Sequence, residues 1–344
     1  MSQTITINAS RIGPGEPAYI IAELSGNHHR DLGLAIRMIE AAAESGANAV
    51  KMQHFTADGI TVDSDRPEFM LGDTTMYAAY KAFETPWEWT AELKAKANSL
   101  GLDLFSSPFD VSAVDLLEEL DVPAYKIASF ELVDHVLLKR VAATGKPVIM
   151  STGMAKVSEI EESVNVLRDN GCDEIVLLKC TSSYPAPPEE MNLRTIPYLA
   201  ELFHCPVGLS DHTLGIALPV SAVTLGANVI EKHFILDRDQ GGPESSFALE
   251  PHELTMMVDA VRMAEKSLGT VHFGPAEREA ASLIFRRSLY VVRDIAEGEK
   301  FSEENVRSVR PSHGMHTRHY EEILGRRAAT AVEKGTPLSW ELIR

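Results

Sequence analysis

Three cysteines in 344 residues, Cys172, Cys180 and Cys205, are an odd number without metal-like spacing, and they read as reduced, structural thiols. Basic side chains are in short supply as well: 32 Lys and Arg stand against 50 Asp and Glu, a formal net charge of -18. That deficit argues against a nucleic-acid partner and against docking on an anionic membrane. No stretch approaches the roughly 20 apolar residues of a membrane span. Met1 to Pro14 has neither a basic start nor an apolar run, so a cytoplasmic protein is the expectation. Nor does a GxGxxG turn follow the first strand-like run, which weakens the case for a doubly wound open sheet.

What is present is ordinary for a soluble enzyme, with 44% hydrophobic and 24% charged residues. From residue 19 onward, eight apolar strand-like runs alternate with amphipathic segments: Tyr19 to Leu24, Ala49 to Phe55, Leu102 to Ser107, Ala124 to Ser129, Val148 to Thr152, Ile175 to Thr181, Val207 to Ser210 and Val229 to Ile235. Helical patterns fall between them, including Pro86 to Leu100, Val133 to Ala143 and a last one at Pro251 to Leu268. Eight β-then-α repeats in about 250 residues match a (β/α)8 TIM barrel. Gly46, Gly101, Gly145, Gly171 and Gly226 lie where helix ends call for a left-handed residue.

The chain also echoes itself. Gly46-Ala47-Asn48-Ala49-Val50 leads to Lys51 and Gln53, and Gly226-Ala227-Asn228-Val229-Ile230 leads to Glu231 and His233. Alternation along a strand sends each such pair to one face. The insert Thr56 to Glu84 follows the second strand, where insertions build the active-site face of a barrel, and is expected to form a lid or substrate wall. After about residue 270 the pattern turns short and β-like, at 288–292, 294–299 and 328–338, which predicts a small antiparallel module. The expected division is a barrel with a short N-terminal β extension over 1–275, a linker over 276–285 and a β-rich domain over 286–344.

Polar residues cluster at the C-terminal ends of all eight strands, where barrel enzymes keep their sites. His212 and His233 end neighbouring strands, so their imidazoles could share a divalent ion such as Mn²⁺, Co²⁺, Zn²⁺ or Mg²⁺. Lys51 and Lys126 point inward, where an unpaired ammonium is costly. They either pair with Glu23, Glu131 or Glu231, receive an anionic ligand, or serve imine chemistry; the nearby hydroxyls of Ser151, Ser182 and Ser210 suit a phosphate. His28-His29 reads as a surface pair and Pro86-Trp87-Glu88-Trp89 as a helix start.

Ile20-Ile21-Ala22-Glu23, Lys51-Met52-Gln53, Ser106-Ser107-Pro108-Phe109, Tyr125-Lys126-Ile127-Ala128-Ser129-Phe130-Glu131, Ser151-Thr152-Gly153-Met154, Ser210-Asp211-His212-Thr213 and Glu231-Lys232-His233-Phe234 together resemble the sialic acid synthase family. The C-terminal module, with Arg310-Pro311 and Gly314, resembles that family's antifreeze-like SAF domain. Pro86-Trp87-Glu88-Trp89 and Gly241 to Pro251 are most similar to the branch that makes pseudaminic acid. Glu244 stands where an Asp is usual and Ser182 where neuraminate enzymes often have Asn, and both differences bear on the sugar side.

The resemblance implies condensation of phosphoenolpyruvate with the open-chain form of an N-acylated aldose. A divalent metal on His212 and His233, Mn²⁺ ahead of Mg²⁺ or Co²⁺, would polarise the aldehyde. Glu131 would handle a water, and Glu23 and Glu244 would grip the sugar. Lys51, Lys126, Ser129, Ser151, Ser182, Tyr184 and Ser210 would hold phosphate and carboxylate, with Gln53, Ser107 and Glu231 beside them. Phe247 and the insert would line the sugar's methyl end, and Arg310 would come from the partner of a domain-swapped homodimer. The rivals are an N-acetylneuraminate or legionaminate synthase, a metal-dependent barrel hydrolase and a noncatalytic sugar-binding protein.

Overall fold

The computed structural model describes residues 4–242 and 244–344. They form two compact units, the first ending at Gly269 and the second spanning Thr270 to Arg344. The first unit opens with a hairpin of β1 (Ile5–Ile7) and β2 (Ser10–Ile12), whose isoleucines join the main hydrophobic cluster. Eight parallel strands then close into a barrel: β3 (Tyr19–Glu23), β4 (Ala49–His54), β7 (Asp103–Pro108), β8 (Tyr125–Ile127), β9 (Val148–Ser151), β10 (Ile175–Cys180), β11 (Val207–Asp211) and β12 (Val229–His233), with β12 pairing back onto β3. The strands numbered between, β5 (Met70–Leu71) and β6 (Thr74–Thr75), make a small hairpin in the insert.

Each barrel strand is followed by a helix: α1 (Leu32–Glu44), then, after the insert helices α2 (Ala57–Ile60) and α3 (Met76–Phe83), α4 (Thr90–Ser99), α5 (Val111–Glu119), α6 (His135–Ala142), α7 (Val157–Asp169), α8 (Thr195–Phe203), α9 (Ala217–Thr224) and α10 (Pro251–Leu268). Side-chain caps set several starts: Asp31 accepts from Leu34 N at 2.8 Å and Asp110 from Ala113 N at 2.9 Å. At the other ends, Gly46 and Gly226 take φ of 84° and 96°, the left-handed conformation that turns the chain into β4 and β12.

Two expected helices begin later than the pattern predicts. Trp87–Trp89 forms a 3-10 turn ahead of α4, and Glu131–Val133 forms another ahead of α6, where Asp134 caps the helix through Val136 N and Leu137 N. The insert is folded as two short helices and the β5–β6 hairpin.

The second unit contains the antiparallel pair β13 (Ser288–Val291) and β14 (Val306–Val309), the short helix α11 (Tyr320–Ile323) and a core built on Leu289, Val291, Phe301, Val306 and Ile323. The segments expected as further strands make only isolated bridges, such as Ile295 with Val332 and Tyr290 with Pro337. Proline has no N–H to extend such a ladder. A 3-10 helix, Glu277–Phe285, occupies most of the stretch expected as a linker. No helix among the described residues is long and apolar enough to cross a membrane.

Candidate active site

Strand register decides which side chains meet. Gln53 pairs with Ser107, Lys51 with Glu23, Glu23 with His233, and Glu231 with Ser210. Residues paired in register share a face, so these groups turn into the barrel together. One layer deeper the same face carries Ile21, Ala49, Phe105, Ile149, Leu178 and Val229, all buried, which fill the barrel below the polar mouth.

Burying charge in such a place requires partners. Lys51 Nζ lies 2.7 Å from Glu23 Oε2 and 3.4 Å from Glu231 Oε1, and donates to Ser107 Oγ at 3.3 Å. Lys126 Nζ donates to Ser151 Oγ at 2.7 Å and stands 3.7 Å from the same Glu231 oxygen, which also accepts from Ser210 Oγ at 3.2 Å. Burial works against the Lys51 ammonium, but Glu23 and Glu231 outweigh it and raise its pKa above the ordinary value. Lys126, with a weaker hold on Glu231 and Lys51 beside it, is lowered by burial. Burial pushes Glu231 up, and the two ammonium groups overcome this to hold it at about 2.

The two histidines stand with ring centroids 5.0 Å apart. His212 Nδ1 is 3.0 Å from the Thr181 carbonyl, which can only accept, so Nδ1 carries the proton and Nε2 keeps its lone pair. At His233 the same result follows by a longer route. Ser25 Oγ donates to Glu23 Oε1 at 2.8 Å and is therefore an acceptor toward His233 Nδ1 at 3.1 Å, which again leaves Nε2 as the basic nitrogen. Glu244 Oε2 lies 3.0 Å from His233 Nδ1 but out of line for a hydrogen bond. His233 and its neighbours overcome the effect of burial and hold the Glu244 carboxyl at about 2. Two oriented imidazoles with a carboxylate nearby form a donor set that fits a divalent transition ion. Among the described residues, no group of three or more His, Cys, Asp or Glu side chains is arranged to hold a metal, so remaining ligands would come from water or substrate.

Lys51, Gln53, Lys126, Ser129, Ser151, Tyr184, Ser210, His212, Glu231, His233 and Glu244 line one recess of about 60 Å³. It shares Gln53, Ala128, Phe130, Tyr184 and Glu244 with a wider pocket of about 600 Å³. That outer pocket contains Glu131, whose carboxyl is pushed up to about 7 by burial. Its other walls are chiefly apolar: Ile60, Tyr80 and Phe83 from the insert join Phe55, Phe109 and Phe130, with Phe55 edge-on to Tyr80 and Phe109.

Several expected site residues stand apart from the recess walls. Glu23 is fully buried, with Oε1 accepting from Ser25 N, Ser25 Oγ and Gln53 Nε2 and Oε2 against Lys51, which makes it a brace for Lys51 and, through Ser25, for His233. Phe247 is buried on neither cavity wall; its ring packs 5.0 Å from His233, 6.0 Å from His212 and 5.8 Å from Tyr184. Its loop folds back because Leu249 N donates to His233 O at 2.8 Å. Ser107 braces Lys51, whereas Ser129, on the recess wall, accepts from Gly153 N at 3.1 Å. A Cβ on Gly153 would meet Ser182 Oγ at 2.3 Å and Ser129 Oγ at 2.7 Å, so bare backbone keeps these hydroxyls together. Arg310 belongs to the second unit, exposed just beyond β14.

Two site features escape the sequence pattern. Cys180 lines the recess with Sγ 3.8 Å from His212 Nδ1; burial raises the thiol, and the contact with His212 draws it down to about 7. Its alternation with Lys179 in the sixth barrel strand was the available signal. The aromatic wall of the outer pocket is the other, since its members come from separate loops. His28, expected at the surface, is buried against Thr85 Oγ1 at 3.1 Å, while His29 is exposed.

Fold and site together define a barrel enzyme whose reactive groups converge at the C-terminal mouth. The chain belongs to the NeuB family: that family's pattern matches residues 38–273, and the SAF domain pattern matches residues 286–344. It is 43% identical over 325 residues to a pseudaminic acid synthase of Campylobacter jejuni subsp. jejuni serotype O:23/36, covering 93% of this chain and 95% of that one. An N,N'-diacetyllegionaminic acid synthase of Campylobacter jejuni subsp. jejuni serotype O:2 is 41% identical over 315 residues, covering 89% and 94%. The crystal structure of an N-acetylneuraminic acid (sialic acid) synthetase from Leptospira borgpetersenii serovar Hardjo-bovis, in complex with citrate, superposes with a TM-score of 0.74 at 35% identity over 82% of this chain and 96% of that one. The chain is thus an enzyme of the synthase kind.

Proposed function

We propose that the enzyme joins phosphoenolpyruvate to an N-acylated aldose, with water, to give a nonulosonic acid and phosphate, and that its product is pseudaminic acid. The observation that carries this reading is the single recess in which two buried ammonium groups face two histidines with free Nε2 atoms. Lys51 and Lys126, with hydroxyls from Ser129, Ser151, Ser182 and Ser210, hold the phosphate and carboxylate of the enol phosphate. Gln53 and Tyr184 complete that grip, and Glu231 keeps the two ammonium groups in place. His212 and His233 would hold a divalent ion, Mn²⁺ first, with Mg²⁺ or Co²⁺ as the alternatives, and the chemistry it supplies when bound is Lewis-acid polarisation of a carbonyl.

C3 of phosphoenolpyruvate forms the new bond to the aldehyde carbon, and positive charge grows at C2. Water adds there as Glu131 takes one of its protons, which passes on to the alkoxide left by the aldehyde, and the C2–O bond to phosphate breaks, the remaining hydroxyl proton leaving with the phosphate to give the 2-keto acid. A carboxyl with a pKa of about 7 suits a group that must accept and later release a proton near neutrality. Glu244 faces the sugar from the wall shared by both cavities.

The outer pocket supports the finer choice of aldose. Among the described residues its lining contains two carboxylates, Glu131 and Glu244, and no Lys or Arg, which disfavours a phosphorylated sugar. The aromatic wall suits the methyl end of 2,4-diacetamido-2,4,6-trideoxy-L-altrose, the precursor of pseudaminic acid, in line with the similarity to the pseudaminic acid synthase of Campylobacter jejuni. The working unit is a homodimer in which Arg310 serves the partner's barrel, and the reaction takes place in the cytoplasm, where its enol phosphate is made.

The test is phosphate release from phosphoenolpyruvate with Mn²⁺ and a panel of aldoses, with and without chelator. Aldose-dependent release that is fastest with the trideoxy-altrose supports the full reading. Faster turnover of the legionaminate precursor or of N-acetylmannosamine moves the product within the family, and no release with any aldose overturns the reaction.

A further inference from the structure

Each of the two histidines is preceded by a charged residue, Asp211 before His212 and Lys232 before His233. β11 and β12 pair Asp211 with Lys232 in register, on the face opposite to Ser210 and Glu231. Lys232 Nζ donates to Asp211 Oδ2 at 2.6 Å, and both side chains are fully buried. The same ammonium donates to the backbone carbonyl of Thr213, one residue beyond His212. Asp211 Oδ1 in turn accepts from Thr213 N at 3.0 Å and from Thr213 Oγ1 at 2.8 Å. The chain on both sides of His212 is therefore tied to the residue that leads into His233.

None of these groups touches either cavity, and the reaction described above uses none of them. Net stability is a poor reason for such a pair, because desolvating two charges consumes most of what their attraction returns. What it does supply is a fixed geometry: an ammonium that satisfies a carboxylate and a carbonyl at once has little freedom to shift along the strand.

We propose that Asp211 and Lys232 are positioning residues, a buried clasp across β11 and β12 that sets the separation and tilt of His212 and His233 for a shared divalent ion. The inference rests on the reading of those histidines as metal ligands. Outer partners that orient ligating histidines typically account for about 10- to 100-fold in metal affinity, and the clasp acts on both ligands at once.

The experiment measures Mn²⁺ affinity of the full-length protein by the EPR signal of free Mn²⁺, beside thermal melts of the same samples. The double variant Asp211→Leu/Lys232→Met replaces the pair by apolar groups of similar size. It is expected to keep a cooperative melt while binding Mn²⁺ at least about 10-fold more weakly. Asp211→Asn keeps an acceptor for Thr213 and loses the charge, and an intermediate loss is expected; it carries the test if the double variant does not fold. Wild-type affinity in the folded variants overturns the clasp alone. A wild-type protein that binds no Mn²⁺ overturns the histidine reading and the clasp with it.

Discussion

Glu131 is the residue whose ionisation is most exposed to test. Burial raises its carboxyl to about 7 against the partial opposition of Lys126, so the fold favours the neutral form. The stability contributed by that preference is present below the ordinary carboxyl pKa and is lost as pH rises through about 7. Glu131→Gln removes the penalty of ionising a buried group. The variant is therefore expected to be more stable than wild type at pH 8, by roughly 3 kcal/mol, and no more stable at pH 4. Denaturant titrations at the two pH values check the sign. Activity should move the opposite way: wild-type turnover falls as pH drops through about 7, and Glu131→Gln loses about 10²- to 10⁴-fold. Phe83 offers a second residue-scale test. It is 42% exposed on the outer wall, the exposure expected of an aromatic that a ligand covers. Phe83→Asn should raise KM for the trideoxy-altrose about tenfold and leave N-acetylmannosamine nearly unchanged, since one apolar contact accounts for about that much discrimination. Equal losses on both sugars would remove the wall from specificity.

Among the elements, β11 depends on a missing side chain. A Cβ on Gly208 would meet Val229 O at 2.3 Å and Leu178 Cδ2 at 2.6 Å, so β10, β11 and β12 approach one another only because the side chain is missing. Gly208→Ala is expected to lower stability by about 1–3 kcal/mol through overpacking, seen as a lower melting temperature. Gly153→Ala is the contrast: its Cβ displaces the Ser129 and Ser182 hydroxyls, so KM for phosphoenolpyruvate should rise while the melt stays in place. The barrel itself was legible because its signals are local. Alternation put Lys51 with Gln53 and Glu231 with His233 on inward faces, and Gly46 and Gly226 marked the turns into their strands. What stayed hidden depends on pairing across the closed sheet. That Glu23 braces Lys51, that Asp211 meets Lys232, and that Phe247 packs behind the histidines follow from register and a loop that folds back, and neither is written in any one segment. The weak strands of the second unit failed for the converse reason, because a β-like composition around Gly335 and Pro337 cannot by itself supply a ladder partner.

At the scale of the whole molecule, the proposed homodimer carries its own prediction. Arg310→Ala and His212→Ala should each abolish turnover. If Arg310 serves the partner's barrel, unfolding the two variants together and refolding them creates mixed dimers in which one barrel has both groups. About a quarter of wild-type activity should then return for random pairing of a symmetric dimer. No recovery in confirmed mixed dimers would assign Arg310 to its own barrel, and full activity of Arg310→Ala alone would remove it from turnover.

The nesting of a narrow recess behind a roomier vestibule has a kinetic consequence. Under the proposed reaction, a sugar settled against the aromatic wall would cover the lining that the two cavities share, so the enol phosphate is expected to bind first. Excess aldose is then expected to inhibit its own conversion, which initial rates at a fixed low concentration of phosphoenolpyruvate would reveal.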